Sequence, residues 1–233
     1  MKINFFQRLT GVLLIVEGLL MFVPMAILGA AINWPASLDE PASVNLPLLL
    51  EKASAVNTGY FIYLIYSILF FFVVLFMARL IAGNETFNTP LKAAVGLSAL
   101  SALARSLGIV RWLSVMPVLA GLYANGSSET QATVSIVYDA MNAYGGTIGE
   151  ALGVGLFAGL SMFALVVAMF QVKDAPKWLS IFGLVAAIAV TLQSLELFGV
   201  NMGALISVVV AVLQLWFLAA GIRFVAAPYP VKS

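Results

Sequence analysis

Arg105 and Arg111 lie six residues apart in ARSLGIVRW, inside an otherwise uncharged apolar stretch. A guanidinium stays ionised and offers five N–H donors, so one held away from water seeks a carboxylate, a phosphate or another anion. Near the centre of a bilayer such a charge costs about 2.5–3.5 kcal/mol on insertion scales, and both residues therefore need partners. Acids that could supply them stand on other apolar stretches, at Glu17, Glu150 and Glu196. Gln193, three residues before Glu196, and Gln214 add amides, and Tyr63 adds a phenol. These residues form the candidate ligand-binding set. In one arrangement Arg105 and Arg111 make interhelical ion pairs with Glu17 and with Glu196 or Glu150, holding the helices in register. In another, a polar cavity around Arg111, Glu196, Gln193 and Tyr63 binds a small anionic or zwitterionic ligand. Snorkelling of the arginines to the nearer surface is a third.

Other chemistry is excluded by what the chain lacks. It has no Cys and no His, which removes disulfides, thiol catalysis, imidazole acid–base chemistry and His-ligated metals or haem. No Gly-rich loop carries a phosphate-binding Lys, no HExxH helix is present, and no intramembrane Lys stands ready for a Schiff base. No catalytic residue, metal site or cofactor is expected, and a membrane enzyme ranks behind the binding and scaffold classes. A net charge of +1 provides no field that would recruit nucleic acid.

The elements that must position these residues follow from composition. With 63% hydrophobic and 9% charged residues, the chain reads as an integral membrane protein. Its mean hydropathy of +1.08 points the same way. Six stretches can cross about 30 Å of hydrocarbon: Leu9 to Ile32, Tyr60 to Ile81, Ala93 to Ala124, Ile148 to Val172, Trp178 to Phe198, and Ala204 to Phe224. The runs are continuous, without strand alternation, so the expected class is an all-α polytopic bundle of six transmembrane helices. The first run is long and contains Glu17, which favours a retained helix over a cleaved signal peptide. With the N-terminus inside, the cytoplasmic side collects Lys2, Arg8, Arg79, Lys92, Lys173, Lys177, Arg223 and Lys232, and the outer side only Lys52. Both termini are therefore expected to be cytoplasmic, with outer loops over Asn33 to Gly59 and Asn125 to Thr147. Each outer loop carries a short helix, LPLLLEKASA lying at the interface and TQATVSIVYDAMNAYGG ending at Gly145 and Gly146. These helices either cap the bundle or form a lid over an outward-facing cavity. No linker or residue-level repeat divides the chain, which reads as one transmembrane domain over residues 1–233.

The third stretch would measure about 48 Å as one helix, longer than the hydrocarbon core, so it tilts, breaks or protrudes. Pro117 is the expected kink. Six residues of separation put Arg105 and Arg111 about 120° apart around a helix, which argues against a single ligand gripped by both. Glu17 lies about 12 Å in from the cytoplasmic start of its span. Polar stripes on the other helices should face the interior: Tyr60, Tyr63 and Ser67; Gln193 and Glu196 above Ala186 and Ala189; Ser207, Gln214 and Gly221 with Ala211. The fourth span carries two glycine pairs spaced by four, Gly149 with Gly153 and Gly155 with Gly159. Small residues at that spacing let helices approach, either within the chain or at a homo-oligomer or partner-subunit face.

The run Pro176, Lys177, Trp178, Leu179 with Phe182 and Gly183 resembles the start of the fifth helix in an uncharacterised bacterial six-helix membrane family, catalogued as a domain of unknown function, number four-three-eight-six. RLTGVLLIVEG, the Asp139 to Asn142 stretch and LQLWFLAAGI extend the likeness over nearly the whole chain. The resemblance implies the fold, a bacterial origin and an inner-membrane location, and implies no activity. It also associates an arginine with a Glu four residues later on the third helix, but position 109 here is Ile and the second charge is Arg111. The expected function is binding or movement of a small solute through a polar intramembrane cavity. The alternative is an accessory or scaffold subunit whose buried ion pairs are structural.

Overall fold

Long apolar runs in lipid can pair their backbone groups only within a helix, and helix is what forms. The computed structural model describes residues 3–200, 202 and 205–230, without the side chain of Ser207. Lys2, Ala204 and Lys232, named above, fall outside the described residues, as does the Ser207 side chain. The helices are α1 (Phe5–Leu20), α2 (Phe22–Ile32), α3 (Ala42–Glu51), α4 (Ala53–Ala82), α5 (Thr89–Leu113), α6 (Val115–Asn125), α7 (Ser128–Gly146), α8 (Gly159–Phe170), α9 (Lys177–Leu192) and α10 (Leu205–Ala226). A π-helical segment, Thr147–Ala158, joins α7 to α8, and 3₁₀ turns cover Ala36–Asp39 and Gln193–Phe198. No strand occurs among the described residues.

Six spans are long and apolar enough to cross a membrane: Phe5–Ile32, Ala53–Ala82, Thr89–Asn125, Ser128–Phe170, Lys177–Phe198 and Val208–Ala226. The chain is a multi-pass membrane protein. The second, third and fourth spans begin earlier than hydropathy alone predicts, because the polar residues before the apolar runs remain helical. Side-chain caps set some of these starts: Asn88 accepts from the Leu91 amide at 3.1 Å, and Ser127 accepts from the Thr130 amide.

Two spans break, and proline explains both. A proline ring clashes with the carbonyl four residues earlier and donates no hydrogen bond to it. α1 ends at Leu20, four before Pro24, and α5 ends at Leu113, four before Pro117. The expected kink at Pro117 thus takes effect at Ser114, whose backbone leaves helical geometry at φ −126° and ψ −62°.

The helix expected over TQATVSIVYDAMNAYGG, α7, ends at Gly146 as expected, but the chain does not turn away there. Gly146 keeps helical geometry, at φ −63° and ψ −50°, and the chain runs on into the π-helical segment. Glycine at these two positions serves close approach: a Cβ on Gly145 would collide with the side chain of Arg111.

In space the spans follow chain order and close on themselves. α1 packs on α4, α4 on α5, α5 on the π-helical segment and α8, α8 on α9, α9 on α10, and α10 back on α1. Beyond this ring, at the end away from the termini, α3, α6 and α7 pack on one another as a cap. The apolar core is split in two. One cluster includes Leu14, Phe70 and Ala94, and the other includes Leu28, Tyr60 and Ile109. Along the first span, α4 and α5, the change from one cluster to the other falls at Glu17, at Tyr63 and Tyr66, and at Arg105. A polar layer therefore crosses the middle of the bundle.

The glycine pairs of the fourth span pack within the chain. A Cβ on Gly149 or Gly153 would meet Gly108 or Arg105 of α5, and one on Gly155 or Gly159 would meet Ser194 or Thr191. These glycines are covered by α5 and by the fifth span, so they offer no open face to a second copy or a partner subunit.

Candidate functional site

Arg111, in the last turn of α5, is buried and points toward α7. Its Nη2 donates to Asn142 Oδ1 at 3.3 Å, and its guanidinium carbon lies 5.3 Å from the centre of the Trp112 ring. Trp112 in turn stacks on Tyr60, with ring centres 5.2 Å apart and planes 2° from parallel. Arg105 turns instead toward α4, with its guanidinium carbon 4.6 Å from the Tyr66 ring centre and 5.6 Å from that of Phe70. Cation–π contacts of this kind contribute about 0.5–2 kcal/mol and do not themselves consume an N–H donor. The Nε of each arginine has no hydrogen-bond partner, and neither does the buried Tyr60 hydroxyl.

The expected ion pairs are not formed. Among the described residues, the only cation and carboxylate within 4.0 Å of each other are the adjacent, surface-lying Glu51 and Lys52, at 2.7 Å. Aromatic rings of α4 and α5 occupy the guanidinium faces instead. Glu196 stands half-exposed on the 3₁₀ turn after α9, where it lines a separate cavity with Glu150.

Both arginines nevertheless line one cleft, walled by Trp34, Tyr60, Tyr63 and Trp112 and bordered by Glu150. Their 120° separation is bridged by side-chain length, Arg111 reaching along Gly145 and Arg105 along Gly153. Gly108 and Gly149 make this geometry by letting α5 meet the π-helical segment backbone to backbone, since a Cβ on Gly108 would come 2.7 Å from the Gly149 Cα. The cleft is narrow, with a cavity volume of about 20 Å³. That is room for roughly one or two waters. The neighbouring cavity, lined by Thr147, Glu150 and Glu196, offers about 210 Å³ on the same measure.

The rest of the candidate set lies deeper or to one side. Gln214 of α10 donates from Nε2 to the Tyr66 hydroxyl at 2.7 Å, and its Oε1 has no partner. Glu17 is fully buried on α1 with neither carboxyl oxygen hydrogen-bonded. Gln193 is buried near the π-helical segment, its Oε1 also without a partner. The structure thus brings Arg105, Arg111, Tyr63 and Glu150 to one cleft, sets Glu17 and Gln214 beneath it, and leaves Glu196 and Gln193 outside it.

Sequence reasoning missed Trp34, Tyr66, Trp112 and Asn142 as parts of this site. Trp112 adjoins Arg111, and Tyr66 continues the spacing of Tyr60 and Tyr63, so both carried a signal. Asn142 did not, because its role depends on the cap. Its Nδ2 donates to the Leu38 carbonyl at 2.7 Å while its Oδ1 holds Arg111, which ties the cleft to the segment after α2. Tyr138, one turn earlier, receives a 2.6 Å hydrogen bond from Asn45 of α3 on its hydroxyl.

A family model described as Domain of unknown function (DUF4386) matches residues 9–223. The chain belongs to this family. The DUF4386 match takes in every residue of the cleft and of the layer beneath it, so the site is part of the family domain. No curated protein and no solved structure matches the chain.

Proposed function

We propose that this DUF4386 protein binds a small anionic or zwitterionic solute at the arginine cleft and moves it across the membrane. Two buried guanidiniums that share one cleft with no carboxylate paired to either are the observation that carries this reading. A carboxylate-sized anion would meet the unpartnered Nε donors of Arg111 and Arg105 and the unpartnered Tyr60 hydroxyl. A cationic end on the same solute would fall toward Glu150 and Glu196 in the adjoining cavity. The narrow space between the arginines favours small solutes, and the cap segment bearing Trp34 and Leu38 is the part that would open to admit larger ones. The basic residues favour an orientation with both termini in the cytoplasm, α3 lying at the outer interface, and a location in a bacterial inner membrane. The chain acts as a single transmembrane domain.

Trp34 and Trp112 make tryptophan fluorescence a direct test. Purified protein in lipid nanodiscs is titrated with sodium acetate, with sodium gluconate holding ionic strength as a bulky anion. Acetate should change the emission saturably, and Arg111→Gln should weaken that response by about tenfold or more. Arg8→Gln, exposed near the N-terminus, should leave it unchanged. A wild type that shows no saturable response, or an Arg111→Gln variant that responds undiminished, overturns the reading. Native mass spectra that show stoichiometric protein partners and no small ligand would favour a scaffold subunit instead.

A further inference from the structure

We infer that Glu17 is a proton-binding site coupled to the cleft, taking up one proton from solvent when an anion occupies the arginines. The inference rests on the proposed anion site and concerns what that site does to its neighbour. Glu17 lies twelve residues in from Phe5, about 18 Å along the helix and near the middle of the span. It is the only acidic side chain that is buried among the described residues, and both of its oxygens lack a donor. No cation among the described residues comes within 4.0 Å of it. A carboxyl group with no donor to its oxygens is balanced either by the field of a cation farther off or by a proton.

The groups facing it define that choice. Arg105 of α5 is the charged group whose field reaches the Glu17 carboxyl. α4 brings Tyr66 as the titratable neighbour, α10 brings the amide of Gln214, and α2 contributes nothing titratable. Arg105 is shared, since it also lines the cleft. An anion bound there neutralises the field on which an ionised Glu17 depends, and a proton on Glu17 restores the balance. The α1–α10 interface can accommodate that proton. A Cβ on Gly18 would come 3.1 Å from the Gln214 carbonyl, so the helices are in close contact. Gln214 Oε1 on that interface has no partner, and it is the kind of acceptor that a protonated carboxyl satisfies and a carboxylate does not. Coupling of this kind is reciprocal, so acetate should bind more weakly as pH rises, by up to about tenfold per pH unit while Glu17 is losing its proton.

The test is infrared difference spectroscopy on proteoliposomes perfused alternately with acetate and gluconate, with tryptophan fluorescence followed in parallel. Acetate should raise a protonated-carboxyl C=O band in the wild type, and slow exchange in heavy water would mark a carboxyl sealed from solvent. Glu17→Gln should lose both the band and the pH dependence while still binding acetate. Should that variant fail to fold, Glu17→Asp should retain a slowly exchanging band at a shifted frequency, and an unshifted band would overturn the assignment. A wild type that binds acetate with neither band nor pH dependence overturns the coupling and leaves the anion site standing. A band that survives in Glu17→Gln gives the proton to another carboxyl and overturns the role of Glu17. Failure of acetate to bind the wild type removes both readings.

Discussion

Gly145 and Gly108 both face tight contacts, yet substitution at each should act differently because different atoms oppose them. At Gly145 a new methyl meets the Cδ and Nη1 of Arg111, a flexible side chain that can move aside. Gly145→Ala should therefore reduce thermal stability in detergent by less than about 1 kcal/mol while displacing the guanidinium and weakening acetate binding. At Gly108 the opposing atoms are the Gly149 Cα and the Gly145 carbonyl, which are backbone. Gly108→Ala should force α5 from the π-helical segment and cost about 1–3 kcal/mol. Tyr229 offers a pH-dependent counterpart at the end of the chain. Its hydroxyl is buried without a partner, and burial pushes the phenol above its ordinary value, partly opposed by Arg223. A raised native value means that the stabilisation is whole below the unfolded phenol pKa of about 10 and is lost as pH rises beyond it. Tyr229→Phe should reduce the alkaline loss of stability and leave the protein at least as stable at neutral pH, as measured by thermal unfolding across pH.

Helices break here where a proline forbids a carbonyl contact, and the same rule makes the breaks reversible. Pro117→Ala supplies an N–H able to reach the Leu113 carbonyl, so α5 should run on into α6. Straightening would pull α6 from α3 and α7. Hydrogen exchange should show a protected amide at position 117 together with faster exchange in α3, and unchanged α3 exchange would show that the break has another cause. In the fourth span the two adjacent glycines do end α7, but the backbone stays helical into the π-helical segment, and Gly145 is there because Arg111 needs the space of the missing Cβ. The π-helical stretch, Thr147–Ala158, has no hydropathy signature, although it carries Glu150 into the cleft and the glycines onto α5 and the fifth span.

The closed ring of spans is completed where the last helix meets the first. Gln7 donates from Nε2 to the Phe224 and Ala227 carbonyls at 2.7 and 2.8 Å and accepts from the Tyr229 amide at 3.1 Å. These bonds supply partners to the end of α10, and Gln7→Leu should cost about 1–3 kcal/mol by leaving buried groups unpaired. Such a loss should appear as a lower unfolding temperature. Orientation is equally open to test, because the chain has no Cys and a single introduced thiol is unambiguous. In intact cells an impermeant maleimide should label Glu129→Cys directly and Lys173→Cys only after permeabilisation. The reverse pattern would place the termini outside.

The sequence by itself determined the helical class, six spans, the kinking proline, family membership and some of the buried polar residues. Each of these follows from local or one-dimensional causes: run length, the missing proline N–H, and the cost of polar groups in lipid. Arg105, Arg111, Glu17, Gln214 and Tyr63 were legible for the last reason. Only the tertiary structure decided how they meet. The arginines face aromatic rings rather than carboxylates, the glycines of the fourth span serve α5 and α9 rather than a second copy, and Glu17 stands alone beneath a cleft that Arg105 shares. Those outcomes depend on which helices become neighbours and how closely their backbones approach, and residue spacing along one helix carries no record of the helix beside it.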